Sequence, residues 1–102
     1  MPKRGGAKRS AKRGAQRTAL AAACILVGVV VDKNSGLPVN NALVKIVGGS
    51  NFGKETHTNA FGLYVLANLS PGRHLIEASK GTQIQEKDKT LTVGVNILNF
   101  SI

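Results

Sequence analysis

Between Asn59 and Ser79 the chain reads NAFGLYVLANLSPGRHLIEAS, and its order of turn, alternating run, turn, alternating run decides the fold. Asn59-Ala60-Phe61-Gly62 and Ser70-Pro71-Gly72 supply the positive-φ and fixed-φ positions that tight turns need. Between these turns Leu63, Val65 and Ala67 alternate with Tyr64 and Leu66, and beyond them Leu75 and Ile76 fall on opposite sides of the chain. A period of two belongs to strands, so this stretch is a pair of strands and not a helix.

The same grammar extends in both directions. Ile25 to Asp32, Ala42 to Val47, Lys54 to Thr58, Leu63 to Ala67, His74 to Ser79, Thr82 to Gln85 and Thr90 to Ile102 read as about seven strands. Asn34-Ser35-Gly36 with Pro38, and Gly48-Gly49-Ser50-Asn51, separate the earlier ones. Short strands at this spacing predict a small all-β, seven-stranded, antiparallel sandwich of immunoglobulin-like kind over residues 25–102. The last run is irregular. Leu91, Val93, Val95 and Ile97 keep one face, and then Leu98, Phe100 and Ile102 take over the apolar role on the other. Such a switch predicts a bulge near Ile97 and Leu98, or a tail that leaves the sheet to bury itself on another subunit.

Residues 1–24 differ in kind. Lys3, Arg4, Lys8, Arg9, Lys12, Arg13 and Arg17 place seven cations and no acid in the first 17 residues, whereas the remaining seven basic residues face five acids. The net charge of +9 is therefore a property of this arm, not of the sandwich. Ala7, Ala11, Ala15 and Ala19 fall four apart, as on one helix face, but Gly5, Gly6 and Gly14 and the like charges oppose a helix in isolation. The arm is expected to be disordered or to be ordered by a partner.

The wording of the sandwich resembles a known family. Gly28-Val29-Val30-Val31-Asp32, Ala42-Leu43-Val44, Thr56-His57-Thr58-Asn59-Ala60-Phe61-Gly62-Leu63-Tyr64 and Leu69-Ser70-Pro71-Gly72-Arg73-His74 are similar, in that order, to the carboxypeptidase regulatory-like domains of the transthyretin-like, or prealbumin-like, group. The resemblance implies a stabilising or docking module appended to enzymes, receptors, adhesins and assemblies, and it specifies fold better than function. The related pilin-type repeat domains form an isopeptide bond between a strand lysine and an Asn or Asp beside a buried acid. Glu77 occupies the acid's place, but Val30 stands where that lysine is expected, so the resemblance implies no cross-link and a solvated Glu77.

Chemistry has little to work with. One cysteine, Cys24, and two histidines, His57 and His74, are a poor stock for a metal site or an oriented nucleophile. Both histidines read as exposed strand and turn residues, and Cys24 as a small apolar filler. Gly5-Gly6 and Gly48-Gly49 lack the Lys-Ser or Lys-Thr pair of a phosphate-binding loop. The expectation is a protein that is not an enzyme and takes no cofactor or small-molecule substrate.

The basic arm is the main functional signal, and Lys3, Arg4, Lys8, Arg9, Lys12, Arg13 and Arg17 are the candidate contacts to an anionic surface. The leading expectation is a structural subunit of a larger, repeating assembly, such as a virion decoration, cement or tail component, anchored through these cations. An extracellular or virion setting follows. The first alternative is a secreted or cell-surface binding or adhesion module whose arm is a signal ending near Cys24. Against it, the apolar run Thr18 to Ala23 is short for a signal, and Ile25 to Asp32 is already a strand of the fold. The second alternative is a non-specific nucleic-acid-binding protein, acting through charge alone because the arm has no aromatic side chain to stack on bases. No apolar run reaches about 18 residues, so no spanning helix is expected.

Overall fold

The computed structural model describes residues 23–102. Its strands are β1 (Cys24–Val31), β2 (Leu43–Gly48), β3 (Glu55–His57), β4 (Leu63–Leu69), β5 (Gly72–Lys80), β6 (Gln83–Leu91), β7 (Gly94–Ile97) and β8 (Phe100–Ser101). They form two sheets. One runs β4-β1-β7 with β8 also paired to β1, and the other runs β3-β2-β5-β6. Pairing is antiparallel except where β7 and β8 lie parallel to β1.

The core between the sheets follows from the alternation. Leu26 and Val30 of β1, Tyr64 and Leu66 of β4, Phe100 and Ile102 at the C-terminus, Val44 and Ile46 of β2 and Ile76 and Ala78 of β5 are all buried. Ala42 is fully buried just before β2, where a small side chain suits the approach of the two layers. Cys24 is buried among them, as a filler would be.

The irregular C-terminal run resolves into two short strands that keep one register along β1, with Asn96, Leu98 and Phe100 on the inner side and Ile97 and Asn99 on the outer. β7 pairs with the first half of β1 and β8 with Val30 and Val31. At the break the Tyr64 hydroxyl donates to the Leu98 carbonyl at 2.5 Å, and the Asn99 Oδ1 accepts the Val29 amide at 3.0 Å. Gly28 is what lets the chain approach, since a β-carbon there would stand 1.8 Å from the Leu98 carbonyl oxygen. Phe100 and Ile102 thus lie in the chain's own core, and neither the expected bulge nor the exported tail is found: the strand direction and register continue across Leu98 and Asn99.

Three further expectations need correction. The strand expected over Thr82 to Gln85 runs to Leu91, because its partner β5 supplies a nine-residue ladder that needs no apolar alternation. Leu91 and Val93, Val95 and Ile97 do not share a face: Leu91 lies in the core and the other three point to solvent. The turn at Thr92 to Gly94 resets the register, held by Asn96, whose Oδ1 accepts the Thr92 amide at 3.0 Å and whose Nδ2 donates to the Thr92 carbonyl at 2.8 Å and the Ile25 carbonyl at 3.2 Å. The third concerns His74, which is 1% exposed and not a surface turn residue. Its Nδ1 hydrogen donates to the Gly72 carbonyl at 2.8 Å, and its Nε2 accepts from the Asn51 amide at 2.7 Å, so the ring ties the β2–β3 loop to β5. His57 on β3 is exposed as expected.

Candidate functional site: the outer face of the first sheet

The two sheets present opposite chemistry to solvent. On the outer face of the second sheet the register places Glu55 beside Lys45, Lys45 beside Glu77 and Glu77 beside Glu86, a charged row across all four strands. Nearby, Arg73 reaches Asp88 through two hydrogen bonds, 3.0 and 3.2 Å, which holds the carboxyl below its ordinary pKa and raises that of the guanidinium. Glu77 is a half-exposed member of this row, in keeping with a solvated strand acid.

The corresponding row on the first sheet is Val65, Val27 and Ile97, because Val27 pairs with Val65 on one side and with Ile97 on the other. Ile25 and Val95 form a second row at one end of it, and Val29 and Leu63 a third at the other. No charged residue stands among these seven. Leu63 is 47% exposed, Val65 59%, Val95 67% and Ile97 62%, while the three β1 residues between them are half-buried by their flanking strands. A shallow groove of about 320 Å³ runs over Val27 and Val29 between Leu63, Val65, Ile97 and Asn99. Strands that are apolar on both faces are ordinarily covered on both faces. Among the described residues only one of the two is covered.

The residues that brace this face lie mostly behind it. Tyr64 is buried, which pushes its hydroxyl well above the usual phenol pKa, so it remains a donor to Leu98 across the physiological range. Asp32, at the end of β1, accepts the Asn34 and Ser35 amides on Oδ1 and the Gln83 side chain on Oδ2. These hydrogen bonds lower its pKa, the bond from Gln83 most strongly. Gln83, Gln85 and Lys87 of β6 reach across to the Ile102 carbonyl, the Ser101 amide and the Asn99 carbonyl, so β8's outer edge is closed by side chains. β7's outer edge pairs with no strand among the described residues.

The seven candidate contacts of the arm, Lys3, Arg4, Lys8, Arg9, Lys12, Arg13 and Arg17, lie outside the described residues. They lead into β1, the strand at the centre of the apolar face. Sequence reasoning missed the face itself, although its signal was present in CILVGVVV, where both alternating sets are apolar. Among the described residues no group of three or more His, Cys, Asp or Glu side chains is placed to hold a metal ion, and no helix is long and apolar enough to cross a membrane.

Residues 25–101 match the carboxypeptidase regulatory-like domain. No curated protein matches the chain. Among solved structures, the chain is similar to a protein from Bacteroides uniformis ATCC 8492 described as a candidate carbohydrate-binding protein, with a TM-score of 0.61 and 16% identity. The match covers 76% of this chain and 40% of that one. At that identity the likeness speaks for the sandwich fold.

Proposed function

The chain belongs to the carboxypeptidase regulatory-like domain family, and from that premise we propose that it is a non-catalytic interaction module within a larger assembly, docked through the apolar face of β4-β1-β7. The single observation that supports this reading is the contrast between the rows Val65-Val27-Ile97 and Glu55-Lys45-Glu77-Glu86. Soluble domains seldom leave a contiguous apolar patch of more than a few hundred Å² in water unless something binds there. The cations of the arm add a second, salt-sensitive attachment to an acidic surface, and two weak contacts on one chain combine into firm retention. A repeating structure such as a virion surface or an extracellular array suits a small subunit of this kind.

The test is sedimentation of native extracts or particles. The wild-type chain should run with a high-mass complex, and Val65→Lys, or replacement of the seven arm cations by Gln, should release it. A chain that sediments alone in native extract, whatever the variant, would sink the reading.

The description of the Bacteroides protein favours one second reading, a cell-surface module that binds carbohydrate. Sugar sites commonly use exposed aromatic rings, and the exposed rings here are Phe52 and Phe61. They lie in the β2–β3 and β3–β4 loops, at opposite ends of the sandwich, so no shared platform supports it. Binding of the full chain to a glycan array, lost in Phe52→Ala or Phe61→Ala, would favour this reading over the first, and mass spectrometry of the native N-terminus would separate a processed chain from one that keeps its arm.

A further inference from the structure

We propose that the occupant of the apolar face is a second copy of this chain, the two β4-β1-β7 sheets packing face to face about a two-fold axis. The inference rests on the interaction-module reading and names its partner. An isologous contact needs a surface complementary to itself, and this one qualifies on chemistry, because it has no charge to repel its own image. The row of the other sheet, Glu55-Lys45-Glu77-Glu86, holds three acids to one base, so its net negative charge would repel its own image.

Size points the same way. The four exposed side chains Leu63, Val65, Val95 and Ile97, with the half-buried Ile25, Val27 and Val29, leave on the order of 500 Å² of apolar surface, which with a polar rim approaches the ~800 Å² that each partner contributes to a standard interface. Two sheets stacked in this way stand about 10 Å apart, close enough for the groove over Val27 and Val29 to receive an apolar side chain of the other copy.

Charge fixes the orientation. Each β1 begins at Cys24, where an arm with seven cations enters, and an axis perpendicular to the strands puts the two Cys24 ends at opposite ends of the dimer. An axis along the strands would start both cationic segments from the same end, and their mutual repulsion would oppose association at low salt.

Sedimentation velocity of the purified full chain, at about 1 to 100 µM, tests the proposal. The wild-type chain should show twice its 10.7 kDa mass, with little change between low and high salt. Val65→Lys and Ile97→Lys should be monomers with an unchanged far-ultraviolet spectrum, and Glu77→Lys on the other face should remain a dimer. If either lysine variant fails to fold, Val65→Thr, nearly isosteric and strand-forming, should still raise the dissociation constant at least about tenfold. A monomeric wild-type chain over this range would overturn the dimer, as would a dimer indifferent to Val65→Thr and Ile97→Lys. A dimer that tightens strongly with salt would overturn the orientation. The interaction-module reading fails separately, when the native chain sediments alone.

Discussion

Thr58 shows how a polar residue becomes part of a small core. Its hydroxyl accepts the buried Ala42 amide at 2.8 Å and donates to the Val39 carbonyl at 2.6 Å. Thr58→Val keeps the shape and strands both partners, so it should cost about 1–3 kcal/mol in a urea unfolding experiment. Gly28 is constrained by space: the β-carbon of Gly28→Ala would meet backbone at 1.8 Å and the Tyr64 ring at 2.8 Å. Neither neighbour can withdraw without breaking the Tyr64–Leu98 hydrogen bond, and the loss should be about 2–4 kcal/mol by the same measurement. Asp32 couples the fold to pH. Its folded pKa lies below that of the unfolded chain, so its contribution is fully present above about pH 4 and is lost as pH falls through the folded value. Acid titration of stability should therefore be shallower in Asp32→Asn than in wild type, with the remaining slope carried partly by Asp88, whose pKa is also lowered.

At the scale of elements, β6 and β7 carry most of what the structure adds. Before the buried Leu91 the inward side chains of β6 are Gln83, Gln85, Lys87 and Lys89, and three of these bond to the C-terminal segment instead of filling a core. Their removal should loosen that segment specifically: Gln85→Ala is expected to speed amide hydrogen exchange at Ser101 while leaving β5 unchanged. Strands β1, β2, β4 and β5 were legible in the sequence because burial on one side writes a period of two into each of them. The turns were legible because Asn, Gly and Pro have few other uses. β6 was only partly legible, since a strand whose inner face binds backbone with polar side chains leaves no apolar trace. His74 was misjudged for a related reason: a histidine is buried only when both ring nitrogens find partners, and Asn51 and the Gly72 carbonyl are brought to it by the fold, not by neighbours in sequence. The apolar face was written in β1, but one strand cannot say which of its two sides the chain itself will cover.

As a whole molecule, the domain has one finished side and one unfinished side. The charged sheet presents the row Glu55-Lys45-Glu77-Glu86 to water, with the Arg73–Asp88 ion pair near it. The other sheet ends in an apolar surface next to the edge of β7, which pairs with no strand among the described residues, and its central strand β1 follows the cationic segment in sequence. Salt should weaken the arm's contact and leave the face's contact nearly untouched, because apolar burial is insensitive to screening. The most direct test of the central idea is the rate of thiol alkylation of Val65→Cys and Ile97→Cys within the native complex, measured against Glu86→Cys on the opposite sheet. Protection of both face positions by about tenfold or more is expected, while Glu86→Cys reacts freely. Equal rates at all three positions would mean that the face is open to water in the working protein, and the account would be wrong.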